Sequence, residues 1–213
     1  MLLFARTDRD EARRKGLGSR GGRVFGLMRR RLRAAAASLG VDLVVAGADR
    51  ATSTLEQRGL DFGARLSNAV GDAFGLGYRE VVVVGLDSPG LGRRHLASAF
   101  ERLSRAPAVF GPSLDGGAYL LGLRADGLRA LRGVRWCTRH VYADLCAGTP
   151  DAVRLERLGD IDAPEDAARL AIADHELQAI LRSLRGPARP ASVGLVSAGR
   201  RVSRSPRIRG PPV

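Results

Sequence analysis

The hydrophobic pattern of residues 1–184 alternates between short apolar runs and longer stretches with helical spacing. The clearest run is 81–84, four consecutive valines followed by a glycine, which is typical of a strand buried on both faces of a sheet. Shorter apolar runs at 43–47, 108–111 and 118–123 predict three further strands.

Helices are predicted between and after these strands. Apolar residues recur at three- and four-residue spacing over 60–74 and 93–103, and another helix is expected over 24–39. Near the end, Asp162 precedes a proline and two acids, which is typical of a helix start with Asp162 as the N-cap. This last helix is predicted to run to about Leu184.

The alternation of strands and helices predicts an α/β fold, a single three-layer domain over 1–184 with a largely parallel sheet covered on both faces. In such sheets, ligands bind beyond the carboxyl ends of the strands. The remaining residues, 185–213, hold five of the ten prolines and seven arginines without an acid. We expect a disordered basic tail there, because this composition buries too little apolar surface to offset its ordering entropy.

The formal net charge of +13 is concentrated at the two ends. Residues 1–33 carry 11 basic and 3 acidic side chains, whereas 34–184 carry 17 basic and 19 acidic ones and are close to neutral. The tail has no aromatic residue to stack on bases, so specific nucleic-acid binding is not expected. A non-catalytic protein that binds nucleotides or nucleic acid through its basic ends is kept as a separate alternative.

Apolar runs in the sequence are all far shorter than the roughly 20 residues of a membrane span, so no membrane span is expected. The first residues also contain too short an apolar stretch for a secretory signal. Two cysteines, Cys137 and Cys146, do not by themselves make a disulfide scaffold or a four-ligand zinc site. We therefore expect a reduced, cytoplasmic location.

Asp87 directly follows the strand predicted over 81–84, with Gly85 before it and Pro89 after it. A carboxylate at the carboxyl end of a buried strand is well placed to hold Mg²⁺ or Mn²⁺ against phosphate oxygens. The alternative interpretation is that Asp87 only caps the next turn through its side chain.

Two other segments permit ligand binding but also have ordinary structural explanations. Asp115-Gly116-Gly117 leads into a predicted strand; its glycines let a ligand approach the backbone, and they also fit a hairpin turn. The stretch from Gln57 to Arg65 opens a predicted helix, whose first N–H groups attract anions. A simple loop-to-helix transition is the alternative for that stretch.

Trp136-Cys137-Thr138 contains the only tryptophan, a residue type found more often in cores than as a ligand platform. Asp160 and Asp162 are two residues apart, so in an extended segment they share one face. One of them can then serve as a second metal ligand, although capping a helix is a sufficient structural reason for Asp162.

Taken together and in order, these segments resemble the rSAM/selenodomain-associated transferase 1 family, small bacterial transferases related to the molybdenum-cofactor and phospholactate nucleotidyltransferases. The resemblance covers roughly residues 2–175. It rests on Gln57-x-Gly59-x-x-x-Gly63-x-Arg65-Leu66, Val83-Val84-Gly85-Leu86-Asp87-Ser88-Pro89, the stretch from Phe110 to Leu123, Trp136-Cys137-Thr138 and the stretch from Asp160 to Asp166.

The resemblance implies a glycosyltransferase-A fold with a mixed, mostly parallel sheet. It also implies metal-dependent transfer of a sugar from a nucleotide-diphospho-sugar to an unknown acceptor. Asp87 and Asp162, or else Asp160, fall where such folds hold Mg²⁺ or Mn²⁺. Asp115 falls where a residue orients a sugar hydroxyl or acts as a base. The remaining implied residues bind the nucleotide (Arg14, Lys15, Gln57, Arg65) or the substrate (Gly116, Gly117, Trp136, Thr138).

The N-terminal segment departs from the family pattern Phe-Ala-(Lys/Arg)-x-Pro-x-x-Gly-x-x-Lys-Thr-Arg-Leu. Asp8 stands at the proline position, Glu11 at the glycine position and Arg14 at the lysine position. Loss of the glycine counts against tight wrapping of a triphosphate, although Arg14 and Lys15 keep basic charge there. A nucleotidyltransferase that uses an NTP and releases pyrophosphate, and an inactive nucleotide-binding paralogue, are the alternatives that remain.

Overall fold

A computed structural model describes residues 1–47, 53–169 and 175–184, and a seven-stranded sheet lies at its centre. Four of the strands coincide with the four apolar runs of the sequence. The strands are β1 (Leu2–Phe4), β2 (Val44–Gly47), β3 (Leu55–Glu56), β4 (Glu80–Val84), β5 (Ala108–Pro112), β6 (Ala118–Arg124) and β7 (Val153–Arg154).

The strand order across the sheet is β3-β2-β1-β4-β6-β5-β7. All pairs are parallel except those of β6, which is antiparallel to both β4 and β5. The short connection from β5 to β6, residues 113–117, explains this exception, because parallel strands need a crossover of a dozen or more residues. The predicted fold class, an α/β domain with a mostly parallel mixed sheet, is confirmed.

Helices pack on both faces of the sheet. The helix over 93–103 has the predicted bounds, and that predicted over 60–74 is shifted by only one or two residues. The helices are α1 (Asp8–Arg14), α2 (Gly18–Ser38), α3 (Phe62–Gly75), α4 (Arg93–Leu103), α5 (Val141–Gly148), α6 (Pro164–Arg169), α7 (His175–Leu184) and a 3-10 helix (Ala125–Leu131).

Strand side chains alternate between the two faces and form two buried clusters. On one face, Leu3, Val82 and Val84 pack with apolar residues of α2, α4 and α7. On the other, Val81 and Val83 pack with residues of α3, α5 and the 3-10 helix. The valines of β4 are buried on both faces, which is why that strand has an unbroken apolar sequence.

Several predicted boundaries were wrong. The helix expected over 24–39 begins at Gly18, and the last helix begins at Pro164 rather than immediately after Asp162. That last segment forms α6 and α7; residues 170–174 between them lie outside the described residues. The predicted tail, 185–213, also lies outside them.

A membrane-spanning helix was not expected. Among residues 1–47, 53–169 and 175–184, the structure contains no helix that is both long enough and apolar enough to cross a bilayer.

Candidate active site

A cavity of about 620 Å³ opens at the carboxyl ends of β1 and β4. The segment after β1, including Ala5 and Arg6, forms one part of its wall, and the segment from Gly85 to Ser88 after β4 forms another. This is the edge at which open α/β sheets bind ligands, and the volume falls in the usual range for small-molecule sites. The cavity contains every site residue predicted from the sequence except Gly116.

Two predicted metal ligands converge on one positively charged atom in this cavity. The Nζ atom of Lys15 lies 2.6 Å from Asp87 Oδ1 and 2.9 Å from Asp162 Oδ1. It also donates a hydrogen bond to the backbone carbonyl of Ile161. The Lys15 side chain is 2% exposed, whereas those of Asp87 and Asp162 are 45% and 57% exposed. The carboxylates therefore face the cavity while the lysine reaches them from inside the protein.

Helix α1 and the chain after β7 bring these groups together. Lys15 is the C-terminal capping residue of α1, one turn after Glu11 on the buried side of the helix. The backbone N–H of Ile161 donates to the carbonyl of Asp87 over 2.8 Å, and the Ile161 side chain is completely buried. This anchor holds Asp162 beside the loop that carries Asp87.

The two carboxylates fit a divalent cation of the kind that the sequence predicted. Mg²⁺ is usually held by one or two carboxylates and takes its other ligands from phosphates and water. In the part of the chain that the structure describes, no three His, Cys, Asp or Glu side chains form a metal site. Two carboxylates alone thus suit an ion that takes its other ligands from a phosphorylated molecule. In this structure the ammonium of Lys15 contacts both carboxylates.

Lys15 is charged in this environment. Burial lowers the pKa of Lys15, but attraction to Asp87 and the hydrogen bonds to Asp87 and Asp162 outweigh this effect. The net result is a raised pKa. Arg14, which we aligned with the lysine of the family pattern, is 55% exposed and pairs with Glu11 instead.

Asp160, the alternative second ligand, makes different contacts from Asp162. Its carboxylate accepts a hydrogen bond from the hydroxyl of Ser88. Burial raises the pKa of Asp160, hydrogen bonds from Ser88 and Ser113 oppose that rise, and the negative charges of Asp115 and Asp87 add to it, which leaves a pKa of about 6. Asp162, and not Asp160, is therefore the acid that shares the Lys15 ammonium with Asp87 in this structure.

Three aromatic rings form a row along another part of the cavity wall. Phe4 at the end of β1 contacts Phe62 edge-on, with ring centroids 5.6 Å apart, and Phe62 lies 5.5 Å from Trp136. All three rings line the cavity, so Trp136 is not simply a core residue. Gly63 makes this packing possible, because a Cβ atom there would lie 2.7 Å from Trp136 Nε1 and closer still to Cδ1.

Replacing Gly63 with alanine should displace the Trp136 ring. We expect Gly63→Ala to lower the free energy of unfolding by about 1–3 kcal/mol through overpacking and to shift the tryptophan emission. Gly71, in the same helix, has open space around its Cβ position. The matched Gly71→Ala variant should instead gain about 0.5–1 kcal/mol, the usual helix preference of alanine over glycine. Urea unfolding followed by fluorescence measures both, and equal stability of the two variants would contradict the predicted overlap.

The Asp115-Gly116-Gly117 segment forms the turn between β5 and β6. Asp115 Oδ1 accepts a hydrogen bond from the N–H of Gly117 over 2.9 Å, so the hairpin interpretation is confirmed. Asp115, Gly117 and Arg139 line the cavity, whereas Gly116 packs against the backbone carbonyl of Arg139 from behind. The catalytic role of Asp115 stays a prediction.

Other predicted binding residues make structural contacts at the edge of the cavity. The amide nitrogen of Gln57 donates to the carbonyls of Ala46, over 3.0 Å, and Ala5, over 3.3 Å, and so joins the ends of β2 and β1. The hydroxyl of Thr138 donates to the carbonyl of Arg135 within its own loop. The binding roles of Gln57 and Thr138 are untested.

The start of α3 does not offer a free anion site of the kind considered from the sequence. The carboxylate of Asp61 caps this helix by accepting from the N–H of Ala64 over 2.7 Å. Arg65, in the first turn of the same helix, lines the cavity with its side chain. Helix α3 therefore contributes the positive charge of Arg65 to the cavity, and its N-terminus is capped by Asp61.

Six polar residues of the cavity wall were assigned no role from the sequence, although all of them except Arg139 lie within the motif segments described above. Five basic and five acidic side chains now line the cavity, which makes it formally neutral. A diphosphate bound there would need an added cation to balance its charge. The missed residues with polar side chains are Arg6, Glu11, Ser88, Ser113, Tyr119 and Arg139.

Comparisons with known proteins agree with this fold. A family model described as an uncharacterized protein conserved in bacteria (DUF2064) matches residues 29–138, just over half of the chain. No curated protein matches the chain. The crystal structure of a protein from Desulfovibrio desulfuricans G20, provisionally named a nucleotide-diphospho-sugar transferase, is similar with a TM-score of 0.74 and 23% identity, covering 85% of this chain and 93% of that one.

A second solved structure is less similar. It is a homologue, from Mycobacterium sp. strain JC1, of a Mycobacterium tuberculosis protein, with a TM-score of 0.49 and 14% identity over 85% of this chain and 98% of that chain. The Desulfovibrio structure confirms the predicted α/β fold with a mixed, mostly parallel sheet, and membership of the selenodomain-associated family stays a prediction.

Proposed function

The chain belongs to the DUF2064 family of bacterial proteins, and from the cavity we propose that it is a metal-dependent transferase that moves a sugar from a nucleotide-diphospho-sugar to an acceptor. One observation carries this proposal. Asp87 and Asp162 direct one carboxylate oxygen each at the same point near the carboxyl end of β4, within 3 Å of the ammonium of Lys15. The provisional name of the Desulfovibrio protein, which shares the fold, supports the same substrate class.

In this proposal the two carboxylates hold Mg²⁺ or Mn²⁺, and the ion's chemistry is to neutralise charge that develops on the departing nucleoside diphosphate. Arg65 and Arg139 bind the phosphate oxygens from the cavity walls. Phe62 and Trp136 offer ring faces on which the base or the sugar stacks. Asp115, on the opposite turn, orients a sugar hydroxyl or accepts the proton of the acceptor.

Thermal melting of the purified protein tests this proposal. The ligands are UDP-, GDP- and ADP-sugars and the four NTPs, each with and without Mn²⁺. A ligand that binds only the folded state raises the melting temperature, by roughly 5–10 °C at a hundred times its Kd for a domain of this size. We expect such a rise with one sugar nucleotide, and only when Mn²⁺ is present. Quenching of the single tryptophan, Trp136, should accompany it.

The other outcomes separate the alternatives. A rise with an NTP and with no sugar nucleotide would replace the proposal with a nucleotidyltransferase. A rise that does not depend on Mn²⁺ would contradict the metal requirement. A melting temperature unchanged by any ligand would contradict the transferase proposal and indicate that the altered N-terminal segment no longer supports nucleotide binding.

A further inference from the structure

The environment of Lys15 has a property that the proposed transferase does not explain. Its ammonium has three N–H donors, and three acceptors surround it: Asp87, Asp162 and the carbonyl of Ile161. The side chain is 2% exposed, so water does not substitute for these partners. Lys15 therefore occupies, in the folded chain alone, the point where both carboxylates direct an oxygen.

A divalent cation bound to the same two oxygens would lie close to this point. Mg²⁺ sits 2.0–2.1 Å from its oxygen ligands, whereas Lys15 Nζ is 2.6 Å and 2.9 Å from them. Two positive charges at that separation repel strongly in a partly buried site. An ammonium and a metal ion that approach these two oxygens from the same side consequently exclude each other.

We propose that Lys15 is a built-in competitor of the metal: the ion binds Asp87 and Asp162 only when the Lys15 ammonium leaves them. This inference rests on the proposed function in one respect, because it takes Asp87 and Asp162 as the metal ligands. A buried ammonium cannot be left without a partner, so its departure requires another anion. The anion of the right chemistry is a phosphate group of the nucleotide, which makes metal binding weak in the free protein and stronger with the nucleotide present.

Mn²⁺ binding to the nucleotide-free protein tests the competition directly. The variants are Lys15→Met, which keeps the length and apolar character of the side-chain stem, and Arg13→Met. Arg13 is 80% exposed, pairs with Asp10 and does not line the cavity, so it controls for the loss of one nearby positive charge. We expect Lys15→Met to bind Mn²⁺ about tenfold more tightly than wild type, the size of one close charge–charge contact, and Arg13→Met to bind as wild type does.

The outcomes distinguish this inference from the proposed function. If Mn²⁺ binds the wild type and Lys15→Met equally, or binds the variant more weakly, the competition is wrong and the transferase proposal stands. If Mn²⁺ binds neither protein even with nucleotide, the metal site itself is wrong and both proposals fail.

The wild-type chain permits a second test that needs no variant. Lys15 is the only lysine among 213 residues, so lysine labelled with ¹⁵N gives one ammonium signal. That signal persists while the ammonium is sheltered from water by its partners. When Mg²⁺ is titrated into the protein in the presence of nucleotide, the ammonium signal of Lys15 should shift or disappear in proportion to the Mg²⁺ bound, which calorimetry measures separately. A signal that stays unchanged while Mg²⁺ binds would overturn the inference.

Discussion

Asp87→Asn is expected to abolish metal-dependent turnover, with a fall of about a thousandfold or more in kcat. The substitution keeps the shape of the side chain but removes a charge from the point where Asp87 and Asp162 meet. A metal held by one carboxylate loses both affinity and position, and stabilisation of a departing diphosphate is usually among the largest contributions to such a rate. The assay uses the sugar nucleotide that raises the melting temperature, at several Mn²⁺ concentrations.

The control for this prediction is Asp151→Asn, an exposed acid that does not line the cavity. It removes the same charge from the surface and should leave turnover and its Mn²⁺ dependence unchanged. We expect Asp87→Asn to fold, because Lys15 retains Asp162 and the carbonyl of Ile161 as partners. Circular dichroism and the melting temperature check this. An Asp87→Asn protein that keeps more than a tenth of wild-type turnover would show that Asp87 is not a metal ligand.

Gly116→Ala should be the most destabilising of the glycine substitutions that we predict. Gly116 has φ +91°, a left-handed conformation that side chains other than glycine rarely adopt. Its new Cβ atom would also overlap the carbonyl oxygen of Arg139 and lie 2.9 Å from the carbonyl carbon. Backbone atoms yield less readily than the end of a side chain, so we expect a loss of about 2–4 kcal/mol in the free energy of unfolding.

Gly133→Ala separates the two causes of this loss. Gly133 has φ +71°, and nothing lies within 4 Å of its Cβ position, so the variant carries the backbone strain without the overlap. It should cost about 1–2 kcal/mol. Denaturant unfolding measures both proteins. If Gly116→Ala costs no more than Gly133→Ala, the contact between the turn and Arg139 is not what holds this wall of the cavity.

Asp87 was predictable from the sequence because its position depends on one strong local signal. Four consecutive valines define a buried strand, and a residue just beyond such a strand lies at the ligand-binding edge of an α/β sheet. The antiparallel direction of β6 was predicted only as an alternative, through the possible hairpin turn at Asp115-Gly116-Gly117 and the mixed sheet that the resemblance implied. The strand–helix alternation predicted a largely parallel sheet, whereas the segment before β6 is too short for a crossover and carries turn residues.

The sequence did not show which of two adjacent cations, Arg14 or Lys15, contacts Asp87 and Asp162. Arg14 matched the lysine of the family pattern by position, but the helix that decides the matter, α1, was not predicted. Once that helix is known, its period explains the result: Ala12 and Lys15 are three residues apart and share the buried face, while Arg14 lies on the exposed side. The sequence does carry a signal for α1, namely Thr7 as a possible N-cap followed by acids in the first turn of a seven-residue helix.

The distant partners of Lys15 were beyond sequence reasoning for a different reason. Asp162 is 147 residues away along the chain, and it reaches the site because Ile161 pairs with the loop after β4. Spacing alone favoured neither Asp160 nor Asp162. In the structure, Ser88 donates a hydrogen bond to Asp160, whereas Lys15 donates one to Asp162.

The partners Ile161 and Asp162 lie 146 and 147 residues after Lys15 along the chain, so on the ribosome they are synthesised long after it. Six of the seven strands, β1 to β6, have been synthesised once residue 124 is added, but Ile161 and Asp162 follow about 2–8 s later at ordinary rates of translation. During that interval the ammonium of Lys15 has Asp87 as its one charged partner among the three contacts of the finished protein. The nascent chain thus gains its last two contacts to this buried charge only after most of the central sheet has been made.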